Sequence, residues 1–230
     1  MKIGIIGTGN MGRVLGTLWA ELGHEVLFGA RDPSKAAEAV ALCARCGAGS
    51  RASPGSNDAA AAFGDIVFYN PRDVAVRDVL QRPEHLDGKV VIDSHNGPMP
   101  RGFDLIHVPR SRAEALQQQI PEAHVVKAFN TMAQEVFEHC PAGIADARVS
   151  AFLASDSRAA LDKVSGLVRE MGMVPVDCGE LSAARHLESL GDFIRSLIVA
   201  RGNVMTTISV RSLEAATTPR FGPRSPTRLA

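Results

Sequence analysis

Aromatic residues are scarce in this chain: phenylalanine, tryptophan and tyrosine make up 5% of 230 positions, with one tryptophan and one tyrosine. Proteins that hold single-stranded nucleic acid stack bases on aromatic faces, and this composition leaves little surface for such a platform. An excess of charge is also missing, because 25 lysines and arginines balance 25 aspartates and glutamates. Without a basic block, binding to nucleic acid or to a membrane surface is not expected. No apolar run approaches the roughly 20 residues needed to cross a bilayer. The first such run, Ile3 to Ile6, turns at once into glycines instead of forming a signal-peptide core. A soluble, cytoplasmic protein is expected. Cysteine is limited to four residues. Cys43 and Cys46 have the Cys-x-x-Cys spacing, but no second pair or nearby histidines complete a zinc set. They fall near the end of an expected helix, where they read as reduced structural thiols.

Glycine is placed with purpose. The stretch "GIIGTGNMGRVLG" contains Gly7, Gly9 and Gly12 in a Gly-x-Gly-x-x-Gly pattern, after the apolar run and before Met11, Val14, Leu15, Leu18 and Leu22 at helical spacing. In such a turn the first glycine permits the tight bend, the second admits a pyrophosphate close to the backbone, and the third lets the helix pack on the sheet. The N–H groups of Asn10 and Met11 then face the anion, assisted by the helix dipole.

Beyond this turn, strand and helix patterns alternate. "HEVLFGAR", "SRAS", "DIVFYN", "GKVVIDSHN" and "HVVKAFNT" read as strands. Helices are expected from Pro33, over "SNDAAAAF" with a Ser or Asn cap, over "DVAVRDVLQ" and over "SRAEALQQQI". "ARVSAFLAS" and "MVPVDCG" read as two further strands around an amphipathic helix, and Ser182 to Ser212 as helical with soft breaks at Gly191 and Gly202. The expected fold is α/β, a Rossmann-type doubly wound parallel sheet with a small, mostly helical C-terminal lobe. The expected division is a dinucleotide domain over 1–145, a substrate or dimerisation lobe over 146–214, and a disordered tail over 215–230, where prolines and arginines replace core residues.

The second strand indicates which dinucleotide. An NAD site places a carboxylate at its end to clasp the ribose hydroxyls, but Gly29 and Ala30 stand there. Arg31 follows, suited to a 2′-phosphate, with Ser34 and Lys35 at the next helix start. Asp32 lies about 20 residues past the glycine turn, as an NAD clasp would, but it falls after the strand and reads as the cap of the Pro33 helix. NADP is favoured over NAD.

At this point the chain resembles a known family. "MKIGIIGTGNMG", "FGARDPSKA", "VVKAFNT" and "VPVDCGELSAARHLESL" together are similar to the F420-dependent NADP oxidoreductases, in order over nearly the whole chain. "IGIIGTGNMG" alone is shared with pyrroline-5-carboxylate reductases and β-hydroxyacid dehydrogenases. The resemblance implies hydride transfer between nicotinamide and the deazaflavin coenzyme F420, or a flavin-like acceptor, by a homodimer. It implies that Thr8, Gly9, Asn10 and Met11 hold the pyrophosphate and Arg31 the 2′-phosphate. Asn70 and Pro71 would line the cofactor cleft, and Ala128, Asn130 and Thr131 its floor near the nicotinamide. Two stretches depart from the family pattern. Tyr69 and Asn70 stand where the fourth strand usually ends in an apolar-Pro turn, and Asp93-Ser94-His95-Asn96-Gly97 replaces an Asp-x-Thr-Asn-Pro pattern.

Hydride transfer between stacked rings requires little acid–base help. For an imine or carbonyl substrate a proton donor is required, and His95 at a strand end is the candidate; its alternative is a hydrogen bond within its own turn. Asn130 either orients the carboxamide or caps a turn. Lys127 is expected to point outward from its strand, solvated or paired, and Arg185, His186 and Glu188 to form a surface salt-bridge cluster. Two alternative functions are an imine or carbonyl reductase of the pyrroline-carboxylate type and a non-catalytic NADPH-binding regulator.

Overall fold

The computed structural model describes residues 1–97, 110–202 and 205–211. Six parallel strands form one sheet in the order β3-β2-β1-β4-β5-β6, with β1 Lys2–Ile6, β2 Glu25–Gly29, β3 Ala52–Gly55, β4 Ile66–Tyr69, β5 Val90–Asp93 and β6 His124–Lys127. This is the doubly wound order, and the chain reverses direction across the sheet between β1 and β4. Both faces of the central strands are covered, which is why β1, β4 and β5 read as nearly unbroken apolar runs. On one face, Ile3, Ile5, Phe28 and Phe68 pack around Trp19 of α1 (Asn10–Glu21), whose ring meets Phe68 and Phe129 edge-on. On the other, Ile6, Val67, Tyr69 and Val91 pack with Leu116 of α5 (Arg112–Gln119).

The remaining helices follow their caps. Asp32 opens α2 (Pro33–Arg45) by accepting from the Ser34 amide, and Ser56 opens α3 (Asn57–Phe63). Two expectations shift. The third strand begins two residues later than "SRAS" and includes Pro54, tolerated because β3 is an edge strand. The helix over "DVAVRDVLQ" shrinks to one turn, α4 Val76–Val79. Its continuation is blocked because Asp58 accepts the amides of Gln81 and Arg82, and Pro83 starts a separate 3-10 turn.

After α6 (Pro141–Asp146), strands β7 (Ser150–Leu153) and β8 (Val174–Asp177) pair in parallel around α7 (Arg158–Glu170). A two-bond antiparallel bridge between Lys127 and Ala154 joins this small sheet to β6. The apolar residues of β7 and α7 belong to the same core cluster as Ile3 and Trp19.

The C-terminal helical expectation needs correction. α8 (Ala184–Ala200) runs unbroken through Gly191 and ends at Arg201, with Gly202 at φ +70°. Residues 205–211 are not helical; they run beside β7, where Ser150 donates to the Ile208 carbonyl. Gly191 does not break the helix. It permits close approach, since a Cβ there would lie 2.5 Å from Asn96 Nδ2 and 2.8 Å from the Asn130 carbonyl oxygen. The expected tail over 215–230 lies outside the described residues. No helix among the described residues is long and apolar enough to cross a membrane.

Gly191→Ala is expected to cost about 1–3 kcal/mol, because both neighbours it would meet are held by hydrogen bonds. Gly166→Ala, in the interior of α7 with open space around its added carbon, should be neutral or stabilise by up to about 1 kcal/mol. Denaturant melts of the two variants check this contrast.

Candidate nucleotide and active site

The glycine turn is built as its spacing requires. Gly7 adopts φ +97° at the end of β1. A Cβ on Gly12 would lie 2.1 Å from the Gly7 carbonyl oxygen, so α1 seats directly on the turn. At Gly9 an added Cβ would find only Asn70 Nδ2, at 3.9 Å, which leaves the approach open. Gly9 is the N-cap of α1, and no side chain caps that end nor does an acidic residue stand in its first turn. The first N–H groups of a twelve-residue helix therefore face the opening, suited to an anion.

Two cavities flank the turn. One, of about 270 Å³, is lined by Gly7, Thr8, Ala30, Arg31, Lys35 and Asn57, among others. Arg31 makes no hydrogen bond or ion pair among the described residues and is exposed. Asp32 is occupied as a cap: the Ser34 hydrogen bonds hold its carboxyl below the usual carboxylate range. Lys35 pairs with Glu38 at 2.9 Å. Ser34 starts α2 but does not line this cavity. Asn57 donates to the Val79 carbonyl, while its buried Oδ1 lacks a partner. The other cavity, of about 360 Å³, is lined by Gly9, Asn10, Met11, Asn70, Arg72 and Met132, among others. Pro71 borders the first cavity and Asn70 the second, so the loop after β4 spans both.

Behind that loop lies a buried charge cluster that the spacing of its members does not reveal. Lys127 is fully buried and its Nζ reaches Asp93 Oδ2 at 2.7 Å and Glu188 Oε1 at 2.8 Å. It also donates to the His95 carbonyl. Lys127 thus points inward, against expectation. It ends β6, the last strand of the main sheet, where the bridge to Ala154 and α8 close over it. Glu188 is 6% exposed, not a surface residue, and also accepts from the Arg112 amide at the start of α5. Arg185 does bridge to a surface-side partner, Glu114, in the capping box of α5; His186 is exposed.

Burial pushes the Asp93 carboxyl up, but the Lys127 ammonium and His95 outweigh it and hold it at about 2. Glu188 goes the other way, because burial raises it more than Lys127 lowers it. His95 is buried; its Nδ1 meets Asp93 Oδ1 at 2.8 Å and its Nε2 meets the Asn70 carbonyl at 3.2 Å. Its partners thus include the neighbouring strand's loop, not its own turn alone. Asn130 is buried in a reciprocal pair with Asn96, donating to Asn96 Oδ1 at 2.8 Å and to the Leu187 carbonyl at 2.7 Å. It ties α8 to the loop after β5. Ala128 and Thr131 are buried beside it, and none of these three lines the cavities described here. Between Ala128 and Asn130, Phe129 takes φ +64°, turning its ring back onto Trp19 and Phe137. Among the described residues no group of His, Cys, Asp and Glu is arranged to hold a metal.

With this geometry in view, the comparisons become specific. Residues 2–97 match the family model described as NADP oxidoreductase, coenzyme F420-dependent. The F420-dependent NADP reductase of Methanocaldococcus jannaschii is similar over its full length, 27% identical over 93% of this chain and 100% of its own. A crystal structure named for an F420-dependent NADP reductase, from Arthrobacter sp. FB24, is 28% identical, covers 92% of this chain and all of that one, and superposes with a TM-score of 0.77. Rat metalloreductase STEAP3 is also similar, 28% identical over 82% of this chain. The chain spans only 36% of that protein's length.

The charge cluster sets an acid limit on stability. Asp93 and Glu114 are both held at about 2, Glu114 by Arg185 in the first place, against ordinary values of 3.8 and 4.5. Their contribution is complete above those ordinary values and is lost as pH falls towards about 2. Glu188, with a raised value, opposes this only above its own titration. Lys127→Met should strip two buried carboxylates of their shared ammonium, lowering stability by about 3–5 kcal/mol where both are ionised, with the deficit shrinking as pH falls and they take up protons. Melting temperature against pH, for both proteins, measures the two effects.

Proposed function

We propose that this protein is an NADP(H)-dependent oxidoreductase that moves a hydride between the nicotinamide and a deazaflavin of the coenzyme F420 type, or a flavin-like acceptor. The observation that carries the cofactor reading is the end of β2. Arg31 stands uncommitted beside an open glycine turn, while Asp32 is held as a helix cap and so does not clasp a ribose. The residues fit the dinucleotide: the backbone of Thr8 to Met11 would hold the pyrophosphate, and Arg31, with Lys35 and Ser34 near, the 2′-phosphate. The cavity beside Gly9 to Met11, bordered by Asn70, would take the nicotinamide half. When bound, the nicotinamide supplies or accepts the hydride. The chain's own part is to position two rings and exclude water, and the buried Asn96–Asn130 pair holds α8 against the loop after β5. The acceptor reading is supported by the names of the full-length relatives. A homodimer is part of this reading, supported by exposed Phe193 and Val199 on α8.

A second reading, reduction of an imine or carbonyl, is favoured by one observation: His95 sits at the edge of a cavity with Asp93 behind it, as a proton donor requires.

Fluorescence titration should give tighter binding of NADPH than of NADH, and Arg31→Ala should erase the difference, a loss of roughly tenfold to a hundredfold for NADPH. Equal affinity for the two cofactors in the unmodified protein contradicts the cofactor reading. For the acceptor, NADPH oxidation is followed with a deazaflavin, with flavins and with cyclic imines. Turnover with the deazaflavin that survives His95→Asn supports the first reading. Turnover with the imine alone, lost in that variant, supports the second, and tight NADPH binding without turnover leaves a regulator.

A further inference from the structure

A third cavity, of about 330 Å³, lies off the path described for the dinucleotide. Its walls come from the ends of β4 and β5, the loop after β4 and one side of α5 along its whole length, and they include Tyr69, Arg72, Asp93, His95, Arg112 and Gln119. Tyr69 and His95 are among the positions at which the chain departs, at these strand ends, from the pattern of the family it resembles, and the sheet brings both to this one space.

Most polar groups around it already have partners. Both Asp93 oxygens are taken, by His95 and by Lys127. Asp73 is paired with Arg112 at the mouth. The Gln119 side chain accepts from the Val76 amide and donates to the Ala115 carbonyl. His95 Nε2 faces the Asn70 carbonyl. Two groups are left. The hydroxyl of Tyr69, on a residue only 3% exposed, is buried without a hydrogen-bond partner among the described residues. The Arg72 guanidinium makes no hydrogen bond or ion-pair contact among the described residues and acts on Asp73 only through space.

A buried hydroxyl without a partner costs about 1–3 kcal/mol, so a persistent one implies something that completes it. Both uncommitted groups donate. Burial, and then the negative charge of Asp93, push the Tyr69 ionisation well up, which keeps its proton in place. Among the described residues, the side-chain carboxylate and amide oxygens of the wall are committed, apart from the outer face of the Asp73–Arg112 pair. The occupant must therefore supply acceptor oxygens and carry negative charge to face Arg72. A planar carboxylate does both, by accepting from Arg72 with two oxygens and from Tyr69 with one. The volume is near the lower end of ligand pockets, which limits the occupant to a small molecule.

We propose that this cavity is a binding site for a small carboxylate, held by the Tyr69 hydroxyl and the Arg72 guanidinium. Arg72 also walls the cavity beside Gly9 to Met11, so the bound carboxylate lies next to the nucleotide groove without occupying it. The proposal does not depend on which dinucleotide binds; its cavity is the one that His95 borders in the imine reading.

The test uses a property of the composition. Tyr69 is the sole tyrosine of the chain, so protein made with ring-labelled tyrosine has one labelled spin system. The full chain is titrated with acetate, pyruvate, succinate and inorganic phosphate at constant ionic strength, and the ring signals are followed by NMR. A saturable shift with at least one carboxylate is expected, weakened tenfold or more by Arg72→Gln. That substitution is on an exposed side chain and should leave the starting spectrum folded. The proposal is overturned if no carboxylate shifts the ring, if the shift has the same midpoint in Arg72→Gln, or if phosphate binds as tightly as the best carboxylate. Addition of NADPH to the carboxylate-saturated protein should leave the tyrosine signals saturated; displacement of the carboxylate would place it in the nucleotide groove and overturn the site as described.

Discussion

One buried ammonium holds the working end of this molecule together. Lys127 lies on the last strand of the main sheet with no exposure to solvent, between Asp93 at the end of β5 and Glu188 in the middle of α8. A lone charge in that place would cost several kcal/mol, so each of the three elements that meet there depends on the other two. Glu188 extends the link to α5 by accepting the Arg112 amide, and Asp93 extends it to His95 and the loop that carries it. The carboxyl ends of the strands, where an open α/β sheet binds its ligands, are thereby fixed to a helix 61 residues further along the chain.

The end that carries the glycine turn is organised by different means. Little there depends on side chains: an uncapped helix, a glycine with nothing over it and a second glycine that admits a carbonyl. Charge is supplied by Arg31 alone at the strand end, since Asp32 and Lys35 are committed to Ser34 and Glu38. One end is therefore shaped by backbone and remains open, and the other is closed by charge pairs. The loop after β4 connects them, with Asn70 and Pro71 facing the nucleotide side and Tyr69 facing the interior of the opposite layer.

This difference decides what could be read from the sequence. The glycine turn is local, so three residues within six positions disclose it. The role of Asp32 is local too, because a cap is recognised from the proline that follows it. Lys127 could not be placed by alternation, because the rule that successive side chains face opposite sides does not say whether water or α8 covers a side. Glu188 looks like one of a charged surface trio until the fold brings it to a lysine on another element. Gly191 resembles a helix break, and its reason lies in Asn96 and Asn130, far away in sequence. Tyr69 and Arg72 gain meaning only once β5 and α5 are set beside β4.

The bridge between Lys127 and Ala154 has a consequence for motion. The main chain of Lys127 is bonded to the small sheet in both directions, while its side chain holds β5 and α8. A fluctuation that lifts α8 away must either strip the ammonium of a carboxylate or carry β6, and with it the small sheet, along. Local fraying of α8 at this point is therefore suppressed, and opening becomes a collective event close in free energy to unfolding of the whole core. The amide protons of β6, β7 and the middle of α8 should then exchange with solvent as one slow group, while the far end of α8, beyond Ile194 and outside this linkage, exchanges on its own.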